Sequence, residues 1–184
     1  MVSHTKADIK DLRSVDAKAE LFDGEIVTVG PAGSKHNRAA GRTYASLLDH
    51  EEEFGGGYAY TDNVGFIVDL PNRQSLSPDA AWYVGGEEVF ENGFLPKAPA
   101  FAVEVRSPED YGPAAEKAIL AKVKDYFAAG TVVVWDVDLE SEELIRRYDQ
   151  STPESYKAFR NGDWADAEHV VVGWKFEVAR LLRR

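Results

Sequence analysis

Polar and apolar positions alternate in FAVEVR, residues 101–106. Phe101, Val103 and Val105 share one side of an extended chain; Ala102, Glu104 and Arg106 share the other. The pattern predicts a strand with one apolar face. Its second face is either wet or reserved for a task of Glu104. Upstream, AELFDGEIVTVG sets Asp23-Gly24 between apolar runs, a two-residue turn that predicts a hairpin with Glu25 opening its second strand. GPAGSKHNRAAGRTYASLLDHEEEF reads as loop and helix, with Ser34 as the expected N-cap and the run Gly55-Gly56-Gly57 as the stop. Further strands are expected near 64–69 and 79–84, in a stretch broken by Asn63, Pro71-Asn72 and Pro78.

The second half follows the same logic. A helix is expected over 113–129, where Ala115, Ile119, Val123 and Tyr126 form an apolar stripe at helical spacing. Lys117 and Lys124 fall opposite that stripe, whereas Lys122 falls on its edge, beside Ala115 and Tyr126. TVVVWDVD is a continuous apolar run, the mark of a strand buried on both faces. ELIRRYD and SYKAF are shorter strands, RNGDW carries an Asn-Gly turn, and FEVARLLRR is expected to be a short helix with a basic tip. Residues 1–18 are polar, a short helix or loose arm. This order predicts one mixed α/β (α+β) domain over 1–184, built around a single sheet.

Composition narrows the function classes. The formal charge of −11 argues against coating nucleic acid or anionic membrane by bulk charge, yet leaves room for a local basic groove or a carboxylate site that takes a divalent cation. With no cysteine there is neither a disulfide nor a thiolate metal site. No apolar run approaches the ~20 residues of a membrane span, and the first residues lack the apolar stretch of a signal peptide. The expectation is a soluble, cytoplasmic chain without membrane contact. The histidines at 4, 36, 50 and 169 have no metal-ligand spacing, and neither a phosphate loop nor a Gly-x-Ser-x-Gly elbow is present. The tryptophans at 82, 135, 164 and 174 read as core or interface.

If the chain carries a catalytic site, four residues matter: Glu25, Asp79, Glu104 and Lys122. Two carboxylates on neighbouring strands, Asp79 and Glu104, suit Mg²⁺ or Mn²⁺, and a lysine beside them can position a nucleophile and stabilise charge. Taken singly, each residue has a plain alternative. Asp79 after Pro78 is also turn chemistry, Glu104 and Glu25 could be solvated strand residues, and Lys122 could snorkel along its helix. Arg106, permanently charged, is expected in a supporting role, clamping a phosphate or pairing with an acid.

LFDGEIVTVGPAGSKHNRAAGRTYASLL, SPDAAWYV, PAFAVEVRSPED and KVKDYFAAGTVVVWDVD occur in an order that resembles the Uma-two family of restriction-endonuclease-like proteins, over roughly residues 20–148. That family is similar to the PD-(D/E)xK nuclease superfamily. The resemblance implies a central mixed β-sheet flanked by helices, and a homodimer. It implies Asp79 and Glu104 as the paired acids, and a lysine moved to the following helix at Lys122, ahead of Tyr126. It also implies an N-terminal acid for which Glu25 fits. His36 matches a family position, with substrate contact as its implied role; a helix-surface or capping histidine is the other reading. The implied function is Mg²⁺-dependent hydrolysis of DNA phosphodiesters. A nuclease fold serving as a binding or regulatory module without turnover, and a hydrolase of small phosphoesters, remain the alternatives.

Overall fold

The computed structural model describes residues 6–183; residues 1–5 of the expected N-terminal arm lie outside the described residues. Helix α1 (Ile9–Arg13) is closed at its start by Asp8, whose carboxylate accepts from the amides of Lys10 and Asp11. Strands β1 (Ala19–Phe22) and β2 (Glu25–Thr28) form the expected hairpin. Its turn holds Asp23 at φ 52° and Gly24 at φ 78°, the left-handed pair that this tight connection requires. Helix α2 (Ser34–Phe54) begins one residue earlier than capping chemistry suggests. Gly33, not Ser34, is its N-cap, with no side-chain cap, and Gly55 at φ 66° ends it.

Then come β3 (Tyr58–Thr61), β4 (Phe66–Ile67), β5 (Ser75–Leu76), β6 (Ala80–Tyr83) and β7 (Phe101–Val105). Helix α3 (Pro113–Ala128) leads to β8 (Val133–Val137), β9 (Ile145–Asp149), β10 (Tyr156–Phe159), β11 (Trp164–Asp166) and β12 (Lys175–Glu177). The segment expected as a C-terminal helix is instead β12 followed by a short 3-10 turn over Val178–Leu182.

The strand order β10-β9-β8-β7-β6-β3 makes a six-stranded mixed sheet. Only its β7–β8 pair is parallel, and α3 is the crossover that a parallel pair needs. The fold is thus α+β, with a mixed central sheet flanked by helices. One face packs Ala80, Trp82, Phe101, Val103 and Trp135 against Ala39, Ala40 and Leu47 of α2. The other packs Ala81, Ala102 and Val134 against Val123, Tyr126 and Phe127 of α3. Trp82, Trp135 and Trp174 are core residues, while Trp164 is exposed. Along β7 every residue is buried except Glu104, which is only half-buried. The wet side of the alternation is a hole at the end of the strand, beneath α3. Among the described residues no helix is long and apolar enough to cross a membrane.

Candidate active site

Backbone pairing fixes the two acids. Asp79 directly precedes β6; its amide donates to the Val103 carbonyl (2.9 Å), and its carboxylate accepts from the Val105 amide (2.8 Å). Asp79 is therefore fastened to β7 on either side of Glu104. Both acids line one cavity of about 340 Å³. The helix stripe supplies the ammonium. Val123 and Tyr126 anchor α3 to the sheet, which turns Lys122 into the same cavity. Lys122 Nζ lies 2.9 Å from Glu104 Oε1 and 3.1 Å from Glu20 Oε1. One turn on, the Tyr126 hydroxyl donates to Glu104 Oε1 at 2.5 Å.

Of the acids in the hairpin, the structure brings in Glu20 and leaves out Glu25. Glu25 opens β2 beside the turn, opposite Phe22, and is exposed. Glu20 is buried at 8% exposure. It accepts from the Ser77 amide (2.9 Å) and from Arg73 (2.6 Å), whose Nε also donates to Asp125 (2.8 Å). The hairpin docks edge-on, with the Leu21 amide donating to Ser75 Oγ (2.7 Å) and the Asp23 amide to the Asn72 carbonyl (2.7 Å). The signal for Glu20 was present in the register. Glu20 pairs with Val27 and Phe22 with Glu25, so both acids point to one side of the hairpin and differ only in distance from the turn.

Two further residues close on Asp79. Lys18 Nζ lies 2.7 Å from Asp79 Oδ1 and 2.6 Å from Asp62 Oδ1. Read from sequence, Lys18 belonged to a polar arm; its partners lie far along the chain. His36, in the first turn of α2, places Nε2 3.2 Å from Asp79 Oδ2, while its Nδ1 is buried without a hydrogen-bond partner among the described residues. It is a partner of Asp79 and neither a cap nor a solvated surface group.

Arg106 lines the same cavity but is consumed by acids. It donates from Nε and Nη2 to both oxygens of Asp136 (2.8 and 2.6 Å) and binds Glu116 of α3. Its expected pairing with an acid is thus what the structure contains, and its guanidinium is not free to clamp a phosphate.

These contacts set the protonation states. Burial pushes the Asp79 pKa up, but the His36 contact and the Lys18 ammonium outweigh it and bring it down to about 2. Glu104 goes the other way. Burial raises its pKa, Lys122 opposes the rise, and the Asp79 and Glu20 carboxylates add to it. Burial disfavours the Lys122 ammonium, yet Glu104 and Glu20 prevail and hold its pKa above the ordinary lysine range. The Asp79 contact raises the His36 pKa, against its burial. At neutral pH Asp79 is ionised and Lys122 is a cation, a donor and not a base.

Asp79 and Glu104 are hard oxygen donors at one cavity wall, the type that Mg²⁺ and Mn²⁺ take together with waters and phosphate oxygens. Among the described residues no group of three or more potential ligands converges as a ready metal cage. Positive charge is nonetheless held at this point by the Lys18 ammonium, a stand-in cation on Asp79. By chemistry the two carboxylates suit a divalent ion, and Asp79 and Glu104 are the residues that would hold one.

No match was found among functionally curated proteins. A solved structure described as a "putative nuclease belonging to DUF820 from Anabaena variabilis" has the same fold. It superposes with a TM-score of 0.74 over 94% of this chain and 95% of its own, at 14% sequence identity. A family model described as "Putative restriction endonuclease" matches residues 8–179, which take in both acids, Glu20 and Lys122, and the chain belongs to that family, Uma2.

Proposed function

We propose that the chain is a divalent-cation-dependent nuclease that hydrolyses DNA phosphodiester bonds in the cavity between the end of β7 and α3. The observation that carries this reading is the convergence of Asp79, Glu104 and Lys122 from a strand start, a mid-strand position and a helix edge. Asp79 and Glu104 would hold Mg²⁺ or Mn²⁺. The ion would acidify a bound water and neutralise charge on the phosphate.

The chain's own residues supply the rest. Lys122, kept protonated by its acidic neighbours, donates to the attacking water or to a non-bridging phosphate oxygen as negative charge grows there. Glu20 gives the ammonium a second carboxylate anchor beside Glu104. Tyr126 sets the rotamer of Glu104. Arg106 holds β7, β8 and α3 together through Asp136 and Glu116 and does not touch the phosphate.

A fold kept for binding without turnover is the competing reading, and the closure of Asp79 by Lys18 favours it. The purified chain is offered duplex, single-stranded and branched DNA with Mg²⁺ or Mn²⁺. Cleavage that is lost in Asp79→Asn and Glu104→Gln is expected. No cleavage of any form, or cleavage indifferent to Asp79→Asn, sinks the nuclease reading.

A further inference from the structure

We propose that Lys18 is a displaceable internal cation, whose ammonium occupies Asp79 when no divalent ion is bound and must leave it when one binds. The inference rests on the reading of Asp79 and Glu104 as cation ligands and specifies how that site is controlled.

Asp79 offers little choice of oxygen. Oδ2 already accepts from the Val105 amide at 2.8 Å and faces His36 Nε2 at 3.2 Å. An incoming ion is directed to Oδ1, where Lys18 Nζ sits at 2.7 Å. A hard divalent cation sits roughly 2.0–2.6 Å from a carboxylate oxygen. Ion and ammonium would thus compete for the same lone pairs and repel each other at contact distance.

The surroundings give the ammonium somewhere to go. Lys18 Nζ is already 2.6 Å from Asp62 Oδ1, on the turn that follows β3. The Asp62 side chain is 34% exposed, against 4% for Asp79, so the lysine has one anchor at the rim and one in the interior. Lys18 directly precedes β1, two residues before Glu20, and a rotamer change can swing its head outward without moving the hairpin. In the absence of an ion the same lysine neutralises the Asp79 carboxylate at 2.7 Å. The device therefore trades intrinsic cation affinity for a carboxylate that is never left bare. A substrate phosphate, adding its own oxygens to the ion, would strengthen a binding that already occurs without it.

The test measures Mn²⁺ binding to the full chain by electron paramagnetic resonance, without DNA. Lys18→Met is expected to bind Mn²⁺ about tenfold or more tightly than the wild type, since one repelled charge is gone. Lys18→Arg, which keeps the charge, is expected to bind no more tightly than the wild type. Asp79→Asn should abolish binding in either background. A second measurement needs no substitution at Lys18. Reductive methylation of Lys18, read by mass spectrometry, should increase when Mg²⁺ is added to the wild type, and should be high without any ion in Asp79→Asn. Equal Mn²⁺ affinities in wild type and Lys18→Met, with binding still dependent on Asp79, would overturn the stand-in role and leave the cation reading intact. Absence of Asp79-dependent binding in every variant would overturn both. Methylation of Lys18 that Mg²⁺ does not change would also overturn the role given to it here.

Discussion

The Lys122 ammonium lies 2.9 Å from Glu104 Oε1, and it reaches this carboxylate from a helix, not from the strand that carries the acid. Arg106, two residues after Glu104 on the chain, is turned instead into the Asp136–Glu116 network. The sheet thus separates two cationic duties that one strand face would have merged. One cation serves the cavity, and the other ties the sheet to α3. Removing Lys122 leaves Glu104 and Glu20 facing each other. Lys122→Met is expected to lower DNA cleavage by about 10²–10³ at saturating Mg²⁺. It should cost about 2 kcal/mol of stability, between the values for exposed and buried pairs, because the side chain is 27% exposed. Single-turnover cleavage and urea unfolding separate the two effects. A variant that loses stability but keeps its cleavage rate would remove Lys122 from the chemistry.

The Asp79–His36 contact makes stability depend on pH from both sides. The Asp79 pKa falls from an ordinary 3.8 to about 2 on folding. Its contribution, on the order of 2 kcal/mol, is present above about pH 4 and is lost as the pH drops toward 2. The His36 pKa is raised above 6.5. Its contribution is present below about pH 6.5 and is lost as the pH climbs through the raised value. Unfolding in cation-free buffer should therefore show an optimum between roughly pH 4 and pH 6.5 from this pair. Asp79→Asn should flatten both limbs and lower the His36 pKa, followed by its imidazole proton resonance in a pH titration. A His36 titration unmoved by Asp79→Asn would show that the contact does not govern it.

Glu20 and Glu25 give a direct comparison of acids. Glu20→Gln weakens the pairing of Arg73 and Lys122 and is expected to reduce cleavage by about 10-fold or more and to destabilise by about 1–3 kcal/mol. Glu25→Gln, on the exposed strand start, is expected to stay within about 0.5 kcal/mol of the wild type with cleavage unchanged. Both variants are read with the same substrate and the same urea titration. Loss of cleavage in Glu25→Gln alone would mean that the hairpin docks differently when DNA is present.

That pair also shows how far the sequence could be followed. Strand and helix periods put Glu104 and Lys122 on one side each, and Asp79 stood out after Pro78, but it was the motif order resembling the Uma-two family that set the three together. The hairpin was equally legible from Asp23-Gly24, but its docking was not. The contacts of Leu21 with Ser75 and of Asp23 with Asn72 join segments distant in the chain, and they decide that the open end of the hairpin, not its turn, meets the cavity. Lys18 escaped for the same reason, and His36 was singled out for substrate contact rather than for Asp79. Lys18 meets Asp62 and Asp79, and His36 meets Asp79, and no local pattern announces partners that far away. Asp136 is the reverse case. It sits in the most apolar run of the chain, at 1% exposure, and only the ionic network explains it.

Arg106 is where structure and phosphate binding part company. Its side chain is 3% exposed and satisfies Asp136, itself 2% exposed at the side chain, through two hydrogen bonds. A buried carboxylate stripped of its partner keeps its desolvation penalty and loses the attraction that offset it. Arg106→Met is therefore expected to cost about 3–5 kcal/mol. The double variant Arg106→Met with Asp136→Leu should recover most of that loss, because the carboxylate that Arg106 satisfies through two hydrogen bonds leaves with it, and Asp138 keeps the Tyr111 hydroxyl and the Glu140 amide. Arg106→Lys should fall between, since an ammonium replaces the planar fork at only one point. Guanidinium unfolding of the wild type and the three variants compares their stabilities. DNA affinity, measured on the folded double variant, is expected to match the wild type. A drop in affinity that persists after stability has been restored would return Arg106 to the phosphate.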